Sequence, residues 1–265
     1  MNIKKCLWLF FLCFLSAPSI QAQRNYIDIP NYILCINSYA ESTPWSTRMI
    51  STISEYVQKD PQLALYAEHM NTFMIDNDSI LKEFKNMLSQ KYTQPHPRLL
   101  VLLGSPAFTL RDEYRKLWGD IPIIFGSEEG FQGPHEAYLQ KQAIKSEDRT
   151  PIAQFAEPYN MVFLYSNLYL RENVQLINHI KSNIKKFIFI GDEREINLSA
   201  SLDIQNELKT KYPKIEYQFL TPQKMTTNQL LDSLYRVDPQ TTGILFASWF
   251  YKTTFAGNTS LMSND

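Results

Sequence analysis

The chain has 265 residues, 44% of them hydrophobic and 20% charged, with a formal net charge of -1. That length leaves room for one large domain or two ordinary lobes, and that composition excludes a disordered chain. The mild charge excludes a strongly basic nucleic-acid binder and a polybasic membrane-surface protein.

The N-terminus reads as an address. Lys4 and Lys5 precede the apolar run Cys6–Leu15, Ser16-Ala17-Pro18 breaks it, and Ala22 offers a small residue for cleavage. A run this short suits a signal peptide over residues 1–22 better than a bilayer span, an uncleaved anchor being the alternative. Cleavage removes Cys6 and Cys13 and leaves Cys35 alone, so the exported domain is expected to be held by its core and not by a disulfide. Cys35 lies inside an apolar run, which predicts a buried, inert thiol. The rest is expected to be extracytoplasmic, as no other stretch reaches spanning length. The end at Asp265, in polar sequence, is compatible with a piece of something longer.

Strands and helices alternate from there. Ile33–Ile36 suits a buried strand, Thr47–Gln58 a helix, and Leu63–Tyr66 a second strand. Asp78 is a candidate N-cap for a helix to about Gln90. Leu99–Leu103 and Ile121–Phe125 read as buried strands with a helix, Ala107–Trp118, between them. Gly126 to Asn160 holds glycines and prolines with weak periodicity and predicts the connection between lobes, with some helix near His135–Ile144. A second unit then runs through a strand at Met161–Tyr165 and a helix at Glu172–Ile184. It continues with strands at Phe187–Ile190 and Ile215–Phe219 around a helix at Ser199–Tyr212, then a helix at Thr227–Val237 and a strand at Ile244–Ala247. Such alternation implies parallel sheets with right-handed crossovers. The expected fold is α/β with two Rossmann-like lobes: lobe 1 over 31–128, the connection over 129–160, and an incomplete lobe 2 over 161–265.

Open α/β sheets bind ligands beyond the carboxyl ends of their strands, at the point where strand order reverses. A flavodoxin-like order puts the loops Asn37–Trp45 and Gly104-Ser105-Pro106 there in the first lobe. Gly191–Asn197 and Ser248–Tyr251 correspond in the second, and Gly126-Ser127-Glu128 faces the same cleft. The candidate ligand-binding residues are Ser38, Tyr39, Trp45, Gly104, Ser105, Ser127, Glu128, Asp192, Ser248 and Trp249. Hydroxyls and aromatics together suit a small polar ligand with an apolar face, although Trp45 and Trp249 would equally suit lobe-to-lobe packing. Glu128-Glu129 and Asp192-Glu193 are acid pairs at strand ends, either solvated or facing a cationic ligand. No phosphate loop, dinucleotide fingerprint, nucleophile elbow or zinc motif occurs, and the four histidines lack metal spacing. Neither a catalytic residue nor a metal or cofactor site is therefore assigned. The sequon matches at Asn77, Asn197 and Asn258 are weak.

The segment ILCINSYAESTPW, Ile33 to Trp45, resembles the opening of the ABC-transporter substrate-binding-protein-like sensor domains of bacterial two-component kinases. There a strand runs into a hydroxyl-Tyr pair with Pro-Trp a few residues on, matched here by Asn37-Ser38-Tyr39 and Pro44-Trp45. Further matches are Glu68 with Met70-Asn71, Pro106-Ala107, and Ile121-Pro122-Ile123-Ile124-Phe125-Gly126. Phe187–Asp192 resembles the first strand of that family's second lobe. Gly104-Ser105 stands where the family has acidic residues, and Asn71 where it has Asp. The resemblance implies a periplasmic-binding-protein type 1 architecture with a ligand cleft between its lobes. It also implies a periplasmic domain of a (hybrid) sensor histidine kinase, tethered to the inner membrane by downstream segments. The implied partners are an unidentified small molecule, a second copy in a homodimer, and no nucleic acid. A free solute-binding protein of a transporter is the alternative, and an exported α/β enzyme using Asp192 or Glu128 a third.

Overall fold

A computed structural model describes residues 30–75, 78–249, 251–253 and 259–261, the last two stretches as backbone only. The expected signal peptide, Phe250, Asn77 and Asn258 lie outside the described residues.

The first half alternates strand and helix: β1 (Tyr32–Asn37), α1 (Pro44–Val57), β2 (Ala64–His69), α2 (Asp78–Lys91) and β3 (Leu99–Leu103). Two short helices follow, α3 (Ser105–Phe108) and α4 (Arg111–Trp118), and then β4 (Ile123–Ser127). Side chains of a strand alternate between its faces. Thus Tyr32, Leu34 and Ile36 enter one core layer with Leu100, Leu102 and Phe125, while Cys35 joins Val101 and Leu103 in the opposite layer under α1. Both faces of β1 and β3 are covered, which is why they read as unbroken apolar runs. Cys35 is fully buried, and burial pushes its thiol up to about 12, as expected for an inert group.

After β4 the chain forms β5 (Phe131–Gln132), α5 (His135–Leu139) and β6 (Thr150–Pro151), and then β7 (Met161–Tyr165). β7 pairs in parallel with β4, Ile123 opposite Met161 and Ser127 opposite Tyr165. The five-stranded parallel sheet has the order β2-β1-β3-β4-β7. This corrects two expectations. Met161–Tyr165 is the last strand of the first sheet and does not open the second lobe. Residues 129–160 leave that sheet and return to it, burying Ile152 and packing Phe155 and Tyr159 on the first core. Arg111 stacks over Phe108, Phe155 and Tyr159, a contact that draws this excursion down onto the lobe. Strand adjacency is a long-range property that local periodicity does not carry, and glycines and prolines in the excursion imitate a linker.

The second half comprises α6 (Leu170–Ile180), β8 (Lys186–Ile190), α7 (Glu195–Lys211), β9 (Glu216–Leu220), α8 (Thr227–Tyr235) and β10 (Thr242–Phe246). β10 pairs with β8 and β8 with β9, all parallel. Phe187 and Phe189 pack under α6 and α7, while Ile188 and Ile190 pack with Leu230 of α8. Thr226 caps α8 through a reciprocal pair with Gln229. A short antiparallel pair, β11 (Tyr251–Thr253) and β12 (Thr259–Leu261), follows. The molecule is therefore α/β, with one five-stranded and one three-stranded parallel sheet. No helix among the described residues is long and apolar enough to cross a membrane.

Candidate functional site

The order of the first sheet reverses between β1 and β3 and that of the second between β8 and β10. Each reversal opens a crevice at the carboxyl ends of the strands. Two adjoining cavities lie between the sheets. One, of about 440 Å³, is lined by Tyr39, Trp45 and Glu128 from the first lobe and Arg194, Phe246 and Ser248 from the second. The other, of about 780 Å³, is lined by Glu128, Glu129, Arg149 and Tyr165 with Ile196 and Asp203. Glu128 borders both.

Pro44 and Trp45 start α1, three residues before the expected helix, and proline suits that first turn because its missing N–H would have no partner there. This start sets Trp45 edge-to-face on Tyr39, with ring centroids 5.8 Å apart. The Tyr39 hydroxyl donates to Glu128 Oε2 at 3.5 Å. Arg194 lies over the same tyrosine, 5.9 Å from its ring centre, so a cation of the second lobe meets an aromatic of the first.

Arg194 is held from below. Its Nε donates to Asp192 Oδ1 at 2.8 Å, and its backbone N–H to the same oxygen at 3.0 Å. Asn197 Nδ2 donates to Asp192 Oδ1 and to Ser248 Oγ, and Ser248 donates to Asp192 Oδ2 at 2.7 Å. Asp192 is fully buried. Burial alone would raise its carboxyl, but the Arg194 guanidinium and these hydrogen bonds outweigh it and hold it below the usual carboxylate range. The carboxylates around it move the other way. Burial raises Glu128 against the pull of Arg194 and of the Tyr39 hydroxyl. Burial, and then the charge of Glu195, raises Glu129 well above the ordinary value. Burial pushes Glu195 up to about 7, only partly opposed by Arg194.

Four of the ten expected residues line the first cavity: Tyr39, Trp45, Glu128 and Ser248. Asp192 lies behind its wall as the anchor of Arg194. The others are spent inside the lobes. Ser38 Oγ donates to the Gly104 carbonyl at 3.1 Å and accepts the Ala107 amide at 2.8 Å. Gly104 has a φ of +86°, and a Cβ there would come within 2.8 Å of Ser38 Oγ. Ser105 and Ser127 face each other at 3.2 Å, and Ser127 Oγ also accepts the Glu129 amide. Trp249 packs beneath the second sheet beside Leu230 and donates to Thr227 Oγ1, so it fills the lobe and lines neither cavity. Asn197 of the central sequon is buried and hydrogen-bonded.

The sequence places the loop Gly191–Asn197 at the crevice but singles out none of Arg194, Glu195 and Asn197. The periodicity predicts the helix from Ser199, whereas α7 starts at Glu195 and carries Asn197 into the buried network, with Glu195 buried beside it. The available signal was an acid two residues before an arginine directly after a strand, a spacing at which Asp accepts from the backbone N–H two residues on. No group of three or more metal-ligating side chains converges among the described residues. No protein-family model matches the chain, and no curated protein matches it.

Proposed function

We propose that the chain is an extracytoplasmic ligand-sensing domain of the periplasmic-binding-protein type 1 kind, belonging to a two-component sensor histidine kinase. One observation carries the reading: Tyr39, Trp45 and Glu128 from one parallel sheet meet Arg194 and Ser248 from the other around a shared cavity. A ligand there would touch both lobes only when they approach each other. It would bind that arrangement more tightly and shift the population toward it, and the downstream part of the protein would read the change. Nothing of this requires a catalytic residue. Ser248 donates to an Asp192 whose other oxygen holds Arg194, so this hydroxyl is tied into the fastening of the second lobe.

A thermal-shift screen of the chain against small metabolites tests the cleft. Ligands that raise the melting temperature are expected to lose that effect in Trp45→Ala, while the variant still unfolds cooperatively. Equal loss of stability with and without ligand would make Trp45 a packing residue and remove the support. The coding sequence beyond Asp265 separates sensor from transporter component. A membrane span followed by a kinase module supports the sensor, whereas an early stop codon would favour a free solute-binding protein that uses the same cleft.

A further inference from the structure

The junction between the lobes holds more carboxylates than cations. Glu128, Glu129, Asp192, Glu195 and Asp203 act on one another there, with Arg149 and Arg194 as the opposing charges, while Arg171 and Lys211 on the larger cavity are paired with Glu207. Both opposing guanidiniums are already engaged with an acid. Arg194 holds Asp192. Arg149 grips Asp203 through two nitrogens, at 2.8 and 2.9 Å, and also donates to the Ile144 carbonyl. Glu128 and Glu195 therefore feel Arg194, and Glu129 feels Arg149, only as cations already bound to another acid.

Glu129 is the most exacting of these. It is 8% exposed and borders the larger cavity. Its backbone N–H is satisfied by Ser127, but its carboxylate forms no hydrogen bond or ion pair among the described residues. An ionised carboxylate buried without a partner is strongly disfavoured, and a positive charge arriving from the cavity relieves it. A metal ion is a poor candidate, because no three acids converge on one point among the described residues. The negative charge is spread along a cleft that has an aromatic wall at one end, where Trp45 and Tyr39 meet edge-to-face. That length and that wall suit a molecule with a charged head and an apolar or aromatic body.

We propose that the cleft takes a small organic cation, its ammonium or guanidinium head against Glu129 and Glu128 and its body toward Tyr39 and Trp45. The inference rests on the reading of the cleft as a ligand site and adds the class of ligand.

Three probes with the same phenol ring and different termini test it: tyramine, its alcohol analogue tyrosol, and 4-hydroxyphenylacetate. Titration calorimetry on the full chain is expected to give tyramine a Kd at least tenfold below that of tyrosol, with no measurable binding of the acid. Glu129→Gln is expected to weaken tyramine at least tenfold and leave tyrosol within twofold. Without any probe, Glu129→Gln is expected to raise the melting temperature at neutral pH, because it removes an unpaired charge. Tyrosol or the acid binding as tightly as the amine would overturn the cation and leave a ligand cleft in place. No saturable binding by any of the three would also overturn it, the cleft itself then being judged by the metabolite screen and Trp45→Ala. A melting temperature lowered by Glu129→Gln in the absence of probe would make the carboxylate structural and overturn the inference as well.

Discussion

At the strand reversal of the first lobe the chain is fastened by neutral groups, and at that of the second by charges. Ser38 ties the end of β1 to Gly104 and Ala107, and no ionised side chain takes part. In the second lobe Asp192 gathers Arg194, Asn197 and Ser248, so that a carboxylate does what a hydroxyl does in the first. Both solutions satisfy the polar groups that a crevice exposes. They differ in what they present to the cavity. The neutral fastening leaves aromatics, Tyr39 and Trp45, as its outer surface, whereas the charged one brings up a guanidinium. The two halves of the cleft are therefore chemically unlike although their sheets share the order second, first, third at this point.

The charged fastening is the easier to break. Asp192→Ala takes the carboxylate away from the half-buried Arg194 and from the buried donors Asn197 and Ser248, and is expected to cost about 3–5 kcal/mol in urea unfolding. A loss below about 1 kcal/mol would mean that water replaces the carboxylate and that the charges contribute little. The next largest effect is one of pH. Glu195 keeps its proton to about 7 in the folded chain, against 4.5 as its ordinary value. Over that window the unfolded state binds fewer protons, so stability is fullest below 4.5 and falls as pH rises toward 7. Glu128 and Glu129 add to the same slope. Glu195→Gln is expected to flatten the decline by about 3.5 kcal/mol in total, since each tenfold change in proton affinity between the two states is worth about 1.4 kcal/mol. An unchanged slope in urea midpoints measured from pH 4.5 to 8 would assign it elsewhere. The neutral fastening yields the smallest change. Gly104→Ala forces an L residue to a positive φ and crowds Ser38, with an expected cost of about 1–3 kcal/mol and no dependence on pH.

How much of this was legible depended on where each side chain spends its hydrogen bonds. Leu99–Leu103 and Phe187–Ile190 are apolar on both faces, so the strands announced themselves, and the reversal points followed from the order of the units. Tyr39, Trp45, Glu128 and Ser248 followed from those loops. The residue type of Ser38, Ser105 and Ser127 was readable, but their direction was not, since a serine beside a strand end can face a ligand or bond the backbone. Trp249 failed for a related reason, as its indole fits a lobe interior as well as a cleft. Glu195 and Asn197 look like solvated loop residues in a sequence, whereas in the structure they open a helix and Asn197 is bonded to the buried Asp192.

The crossing from β7 to α6 is the sole covalent link between the two sheets among the described residues, and it is four residues long. Ser166 is still bonded to Ser127, and Tyr169 at its end holds a left-handed φ of +48°, an arrangement worth about 1–2 kcal/mol to release. Two polar stays run alongside it, Arg149 to Asp203 and the Ile144 amide to Ser199. The second lobe is thus mounted like a door with one pin and a pair of latches. Torsion at Tyr169 sets how the two sheets meet, and its neighbours Leu168 and Leu170 line the cavities in which a guest would be felt.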